Sequence, residues 1–468
     1  MNVSDGSTIA GRFNAAAAAY EGAARVQAES ATLLATRIRA AFADKAPRRI
    51  LEFGCGTGLL TSKIRAMFPD AELTVTDIAP LMLEQTASRV GHHATHYALM
   101  DANDAHGANR YDLICSNFAM QWLSDRATAL AKLAALLTPG GRLMVTTLAE
   151  GSFAEWRRAC ALSDVPCGFP VYPSARQLQK EWPFCGSGAW DVIPVYDRVG
   201  SGLAFLRDLK RIGAATPHPA AVPTGARLRA AIHNFDARAT GTVTYQVAIG
   251  CFRRSCPLPG VFVTGTDTGV GKTLASACLT QAWNATYWKP LQSGLADEPG
   301  DTDTVMNLAG VPPSRMIPPA YALQASLSPL DAARAEGMVI DPARLALPDR
   351  VRPPLVIEGA GGLLVPASEH LMMIDLIALY GMPVVLVARS GLGTINHTLL
   401  SLEALKNRGI EVAGVLLVGP INEGNRAAIA QRSNVRILAE IPWMDEVNAA
   451  SISNVAATIP IFDSISRR

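Results

Sequence analysis

Short apolar runs recur along the chain at the spacing expected when strands alternate with helices. In the first half, Arg48 to Glu52, Leu73 to Thr76, His96 to Met100 and Tyr111 to Ser116 read as strands, and a helical stretch through Phe68 follows the first of them. Ahead of these, Asn14 to Ala43 is rich in alanine, leucine, glutamate and arginine and reads as one helix. In the second half the run Val261-Phe262-Val263-Thr264, then Thr286 to Gly294, Leu355-Val356-Ile357 and Gly414 to Leu417, read as strands, and a helix begins near Thr304. Such alternation predicts α/β architecture: two doubly wound domains, each with a mainly parallel sheet and helices on both faces.

Two glycine-punctuated turns carry the candidate chemistry. After the first strand comes Phe53-Gly54-Cys55-Gly56-Thr57-Gly58, and Asp77 closes the second strand about twenty residues on. Glycines at alternate positions with a carboxylate at that distance describe a nucleoside crevice in which the acid takes the ribose hydroxyls. Glu52, at the end of the first strand, Asp101 after the third and Asn117 after the fourth complete the set. The other turn, Gly265-Thr266-Asp267-Thr268-Gly269-Val270-Gly271-Lys272-Thr273, joins an apolar strand to a helix. That order lets backbone N–H groups and a helix N-terminus converge on phosphates, with Lys272 as a mobile charge and the Thr273 hydroxyl for Mg²⁺. Gly265 stands one position earlier than the strict P-loop spacing allows. Asp303 and Glu358, at a helix start and a strand end, are the expected partners of Thr273 around the metal; taken singly, Asp301 or Asp303 reads as a helix N-cap and Glu358 as a surface acid, but together with the P-loop they point to the metal.

Composition narrows the picture. A length of 468 residues implies two to four domains, and a net charge of +2 argues against wholesale binding to nucleic acid or a membrane surface. Eight scattered cysteines without a Cys-x-x-Cys pair fit reduced thiols in a cytoplasmic protein. No basic segment with a following apolar core opens the chain, and runs such as Met382 to Ala388 fall far short of the roughly 20 residues that span a bilayer. The boundaries expected are 1–254 for the first domain, with an insertion over about 151–240, and 261–468 for the second. Residues 255–260, with Pro257 and Pro259, form a short stiff link. Within the insertion, Cys160 to Pro173 and Trp182 to Ala189 read as lid or partner-facing segments. His92, His93 and His96 read as an exposed loop in preference to a metal site.

The first half resembles the class I S-adenosylmethionine-dependent methyltransferases, whose Rossmann-like fold it is expected to share, through Glu52 to Gly58 and Asp77. Ser116 to Trp122, Phe13-Asn14 through Tyr20-Glu21, Leu206 to Ala215 and Thr244-Tyr245-Gln246 extend the resemblance to the malonyl-acyl-carrier-protein O-methyltransferases of biotin synthesis. It implies S-adenosylmethionine held by Glu52, Gly54, Gly56, Gly58, Asp77, Asp101 and Asn117, and malonyl-acyl-carrier protein as partner. The acceptor carboxylate is ionised at neutral pH, so it must be placed and stripped of water. Lys210 and Arg211 are the expected cationic anchor, with Tyr20 closing over the site.

The second half resembles dethiobiotin synthetase, a P-loop NTPase family. Val263 to Thr273, Lys289-Pro290 with Ser293-Gly294, Glu358 to Gly362, Gly393 to His397 and Glu440-Ile441-Pro442-Trp443 carry the resemblance. It implies ureido-ring closure from 7,8-diaminopelargonate, CO₂ and ATP, and a homodimer through this half. ATP would lie on Gly265, Thr266, Thr268, Gly269, Val270, Gly271, Lys272, Thr273, Glu358, Gly359, Ala360, Gly361 and Pro442. Thr268, Lys289 and Ser293 would orient the carbamate, Lys272 and Lys289 would neutralise the transferring phosphate, and Thr273, Asp303 and Glu358 would hold Mg²⁺. Val418-Gly419-Pro420 stands where the family carries an adenine-reading asparagine, and Leu330 stands where it carries a histidine. Two other readings stay open: a synthetase fused to a cofactor-binding module without turnover, and a deviant-P-loop assembly ATPase. Asp267 disfavours the latter, since such ATPases carry a lysine there.

Overall fold

The computed structural model describes residues 5–108, 110–214, 225–238, 241–348 and 350–463, with side chains from residue 9. Ala215, the end of one family segment, and the extreme ends of both expected domains lie outside these. The chain divides into two compact units, essentially the residues before and after the Arg254–Ser255 junction.

The first unit is built on seven strands: β1 (Arg49–Phe53), β2 (Glu72–Asp77), β3 (Thr95–Leu99), β4 (Tyr111–Ser116), β5 (Leu137–Leu148), β6 (Gly186–Arg198) and β7 (Thr242–Arg254). Their order is β3-β2-β1-β4-β5-β7-β6. The first five pair in parallel, and β7 runs antiparallel to both β5 and β6. Strand order reverses between β1 and β4, so the loops after Phe53 and Ser116 open a crevice at the strands' carboxyl ends. The single helix expected over Asn14 to Ala43 is two, Asp5–Ala16 and Arg25–Ala41, separated by a short 3₁₀ turn at Glu21–Ala23. No proline marks the break. Tertiary packing makes it, with Ala17 buried on Ala79 and Met82 and Tyr20 packed beside them.

The expected insertion is only partly one. Trp182 stacks on Trp190 and Phe252, and Gly186–Arg198 is the sheet's edge strand and not a lid. The rest of that region brings Phe153, Trp156, Phe205 and Phe235 into one buried aromatic cluster with ring centroids 5.6 to 6.5 Å apart.

The second unit holds β8 (Gly260–Gly265), β9 (Thr286–Trp288), β10 (Leu291–Gln292), β11 (Met316–Ile317), β12 (Tyr321–Ala322), β13 (Leu355–Gly362), β14 (Val384–Arg389), β15 (Val412–Val418) and β16 (Ile437–Ile441). Seven of them form a parallel sheet in the order β11-β9-β13-β8-β14-β15-β16, and β10 pairs with β12. Central β8 is buried at every residue, as expected of a strand covered on both faces. Val261, Phe262 and Val263 each contribute about 1.5–3 kcal/mol by leaving water. That anchors the loop that follows. Among the described residues no helix is long and apolar enough to cross a membrane.

Candidate functional sites

In the first unit, buried β1 delivers Gly54 at φ +63°, where a methyl group would stand 2.4 Å from the Ala119 Cβ. Only glycine fits, so the loops after β1 and β4 touch. Asp77, at the end of β2, accepts 2.9 Å hydrogen bonds from the Gly56 and Ala79 N–H groups. Burial raises its pKa despite those bonds. Asp101 accepts from the Asn103 N–H through Oδ1 at 2.9 Å. Gly54, Gly56, Asp77, Asp101, Asn117 and Tyr20 all line one cavity of about 110 Å³. The break between the first two helices brings Tyr20 there, and its hydroxyl pKa is raised by burial and by Asp77.

Other expected residues stand elsewhere. Glu52 is 1% exposed and is not among the cavity's lining residues. Among the described residues its Oε2 meets no donor in good hydrogen-bond geometry, and burial, partly offset by the nearby Thr61 hydroxyl and reinforced by Asp77, pushes its pKa to about 8. Gly58 caps the helix Leu59–Met67 instead of lining the cavity. The Asn117 side chain is committed to the protein: Oδ1 accepts from Ser30 at 2.8 Å and Thr146 at 2.9 Å, and Nδ2 donates to the Gln27 carbonyl at 3.0 Å. It fixes the wall. Lys210 and Arg211 do not reach the cavity. Their helix, Gly202–Arg211, buries Phe205 and Leu209 and leaves both cations exposed, with Arg211 59% accessible and 3.5 Å from Asp208. Phe13, Phe118 and Trp122, in segments that carry the resemblance but with no expected site role, stand in the wall together with Met82, which no motif marked. The positive φ of Phe118 has no local sequence signal.

The fit to a nucleoside with a charged tail rests on this cradle. Gly56 is open, with nothing within 4 Å of where a Cβ would stand, and the two aspartates face the same space. Acceptors for hydroxyl and amine donors are therefore in place.

In the second unit, the loop after β8 curls back so that the Lys272 Nζ donates to the Asp267 carbonyl at 3.1 Å. Gly271, at φ +93°, meets the Val418 methyls, which sets the end of β15 against the loop. Val418 pairs with Ile441, so half-buried Pro442 follows on the same side. Gly359, Ala360 and Gly361 form the irregular stretch of β13 before Gly362 rejoins Gly265. Thr266 is half-buried, Val270 is buried, and Thr268 and Gly269 are exposed on the loop. Thr268 and Ser293 make no hydrogen bond to one another. Ser293 is half-buried and accepts through its carbonyl from Gln292 at 2.9 Å.

The oxygen cluster around Thr273 departs from the expected metal set at one residue. The Thr273 Oγ1 lies 2.5 Å from the Asp301 Oδ1 and 3.3 Å from the Glu358 Oε1. Asp303 is exposed and faces away. The helix starts at Asp301, capped by Gly300, and two residues at about 100° each turn Asp303 nearly to the opposite face. Lys289, buried, bridges Asp301 and Glu358, with 2.9 Å to the Glu358 Oε1. Tyr287, also missed, is fully buried and donates to the Glu358 Oε2 at 3.0 Å.

Charge follows this geometry. Burial would raise Asp301 and lower Lys289, but attraction to Lys289 lowers the first pKa, and attraction to Glu358 and then Asp301 raises the second. Burial and the neighbouring Lys289 instead push Lys272 down to about 8. An anion on the loop would supply its missing counter-charge. Two carboxylates and a hydroxyl are the hard oxygen donors that suit Mg²⁺.

The chain matches a family described as methyltransferase domain over residues 51–143 and one described as AAA domain over 259–451. It is 49% identical over 460 residues to the biotin biosynthesis bifunctional protein BioCD of Bordetella avium, covering 98% of this chain and 97% of that protein. It is 50% identical over 195 residues to the ATP-dependent dethiobiotin synthetase BioD of Novosphingobium aromaticivorans, covering 42% of this chain and 93% of that protein. The BioD of Rhodopseudomonas palustris is 50% identical over 194 residues, or 42% and 90% of the two chains.

Proposed function

This chain belongs to the BioCD family of bifunctional biotin-biosynthesis proteins, and from that premise we propose how its two units divide the work. The first unit, residues 1–254, is the methyltransferase. It uses S-adenosylmethionine to methylate the free carboxyl of malonyl-acyl-carrier protein. The second, residues 261–468, is the ATP-dependent ligase. It closes the ureido ring of dethiobiotin on 7,8-diaminopelargonate and CO₂, as a homodimer, and the whole acts in the cytoplasm. The observation that carries this reading is the pairing, in one chain, of a glycine–aspartate cradle in the first unit with the Lys272–Thr273–Lys289–Asp301–Glu358 cluster in the second.

In the first unit S-adenosylmethionine supplies an electrophilic methyl group. Gly54 and Gly56 admit its chain, Asp77 and Asp101 offer acceptors, and the apolar wall of Phe13, Met82 and Trp122 excludes water. No base is required, because the acceptor carboxylate is already ionised at working pH. The residues act by placement.

In the second unit Thr273, Asp301 and Glu358 would hold Mg²⁺, which draws charge from the phosphates. Lys272 and the loop N–H groups hold the triphosphate, and Lys289 stands where negative charge builds as the carbamate oxygen takes the γ-phosphoryl group. The second amine then displaces phosphate and closes the ring. Tyr287 keeps Glu358 turned toward Lys289 and Thr273. Incubating the chain with the diamine, bicarbonate and MgATP should yield dethiobiotin, and with malonyl-acyl-carrier protein and S-adenosylmethionine a methyl ester. Absence of either product refutes that half of the reading.

A further inference from the structure

The exposed positions of Lys210 and Arg211 leave open what receives the acceptor carboxylate. A second cavity of about 60 Å³ adjoins the first, and Phe118, Gln121 and Trp122 line both. The first cavity carries Asp77 and Asp101, which repel an anion; the second, among the described residues, is lined by no charged group at all. Its polar atoms belong to neutral side chains. The Tyr172 and Tyr245 rings pack against Phe153, at 5.8 and 4.8 Å, and among the described residues neither hydroxyl makes a hydrogen bond. Burial raises both pKa values, so both hydroxyls keep their protons as donors. Among the described residues the Gln121 Oε1 is buried with no hydrogen-bond partner, so turning that amide over to present its NH₂ breaks no bond of that oxygen.

Over the Tyr172 ring, 6.0 Å from its centroid, lies the Arg157 guanidinium. Its N–H groups go to the Ser152 carbonyl, the Cys167 sulfur and the Pro170 carbonyl, all neutral, and no carboxylate among the described residues pairs with it. By contrast Arg25, near Tyr245, is neutralised by Asp197 and Asp208 at 2.8 Å. Two non-glycine residues with left-handed backbone, Phe118 and Phe153, line this cavity. Such conformations persist only where surrounding structure enforces them.

Resting on the methyl-transfer reading above, we propose that the second cavity is the carboxylate subsite. In it the malonyl group is held by Tyr172 and Tyr245, with Gln121, and drawn in by the unpaired charge of Arg157. Neutral donors suit the chemistry, because a direct ion pair would tie up the oxygen lone pair that must attack. That lone pair forms the O–CH₃ bond, the S–CH₃ bond breaks with its electrons returning to sulfur, and no proton moves.

The test uses the full chain saturated with S-adenosylhomocysteine and compares binding of malonyl-pantetheine with that of acetyl-pantetheine by calorimetry. The wild type should prefer the malonyl compound. Tyr172→Phe and Tyr245→Phe should each weaken malonyl binding about 10-fold or more, leaving acetyl-pantetheine and S-adenosylhomocysteine affinities unchanged. In turnover the loss should fall on KM for the malonyl thioester. Either single variant that keeps the wild-type malonyl preference, or loses S-adenosylhomocysteine affinity in step with it, overturns the assignment. A wild type that methylates no malonyl thioester would instead remove the methyltransferase reading on which it rests.

Discussion

Asp301 and Asp303 stand two residues apart on one helix, but only Asp301 faces Thr273 and Lys289. Asp301→Asn keeps the side chain's size and an acceptor for Thr273 but removes one of the two carboxylates beside Lys289. The Asp301 carboxylate and the cation it would hold, taken as a unit charge pair about 4 Å apart at an effective dielectric near 20, interact by about 4 kcal/mol. Asp301 is 21% exposed, and solvent screening brings this to about 2–3 kcal/mol. At about 1.4 kcal/mol per factor of ten, kcat/KM for MgATP in dethiobiotin formation should fall roughly 30- to 150-fold, with a higher Mg²⁺ requirement. Lys289 stays paired with Glu358, so the fold should hold. Asp303→Asn touches an exposed carboxylate and should change turnover less than about 2-fold. The assay is dethiobiotin formed against Mg²⁺ concentration at saturating diamine and bicarbonate. Equal damage from both substitutions, or wild-type activity in Asp301→Asn, would refute the placement of the metal.

Gly54→Ala forces a Cβ to within 2.4 Å of Ala119 at a left-handed φ, so S-adenosylmethionine affinity should drop more than about 10-fold by calorimetry while dethiobiotin formation is untouched. Arg211→Ala, on an exposed half of its helix, should leave the S-adenosylmethionine affinity and intrinsic methyl transfer to malonyl-pantetheine near wild type, and a large loss of either would return Arg211 to the site. Glu52 has a folded pKa of about 8 against an ordinary 4.5, so the folded state binds its proton more tightly. The stability this contributes is complete below about pH 4.5 and lost as pH rises toward 8. Thermal scans from pH 5 to 8.5 should show the first unit's Tm decline, and Glu52→Gln should flatten that slope; an unchanged slope would contradict it.

The glycine turns were legible because each is a local arrangement: an apolar strand, a turn that only glycine can make and a helix start, all within about a dozen residues. Helical phase was harder. Placing the second unit's helix start near Thr304 instead of at Asp301 was enough to expect Asp303 beside Thr273, where Asp301 stands. Lys210 and Arg211 had a readable signal that pointed away from the site, since Phe205, Leu209 and Ile212 recur at helical spacing and mark the buried face. Tyr20, Tyr172 and Tyr245 reach their cavities only through packing between distant segments. Nothing near Tyr20 in sequence announces the helix break that turns it inward. Tyr287 looked like one more strand residue, and only the parallel register of β9 with β13 sets Tyr287 against Val356 and brings its hydroxyl to Glu358.

The central claim is that two catalytic sites share one chain and work separately. It is tested most directly by assaying both products with purified wild type and the Lys289→Ala variant. Lys289→Ala should still bind nucleotide and lose dethiobiotin formation by at least about 100-fold, because the cation facing the transferring phosphate is gone. The same preparation should make malonyl methyl ester at the wild-type rate. Wild-type dethiobiotin formation in that variant, or loss of both products together, would contradict the account.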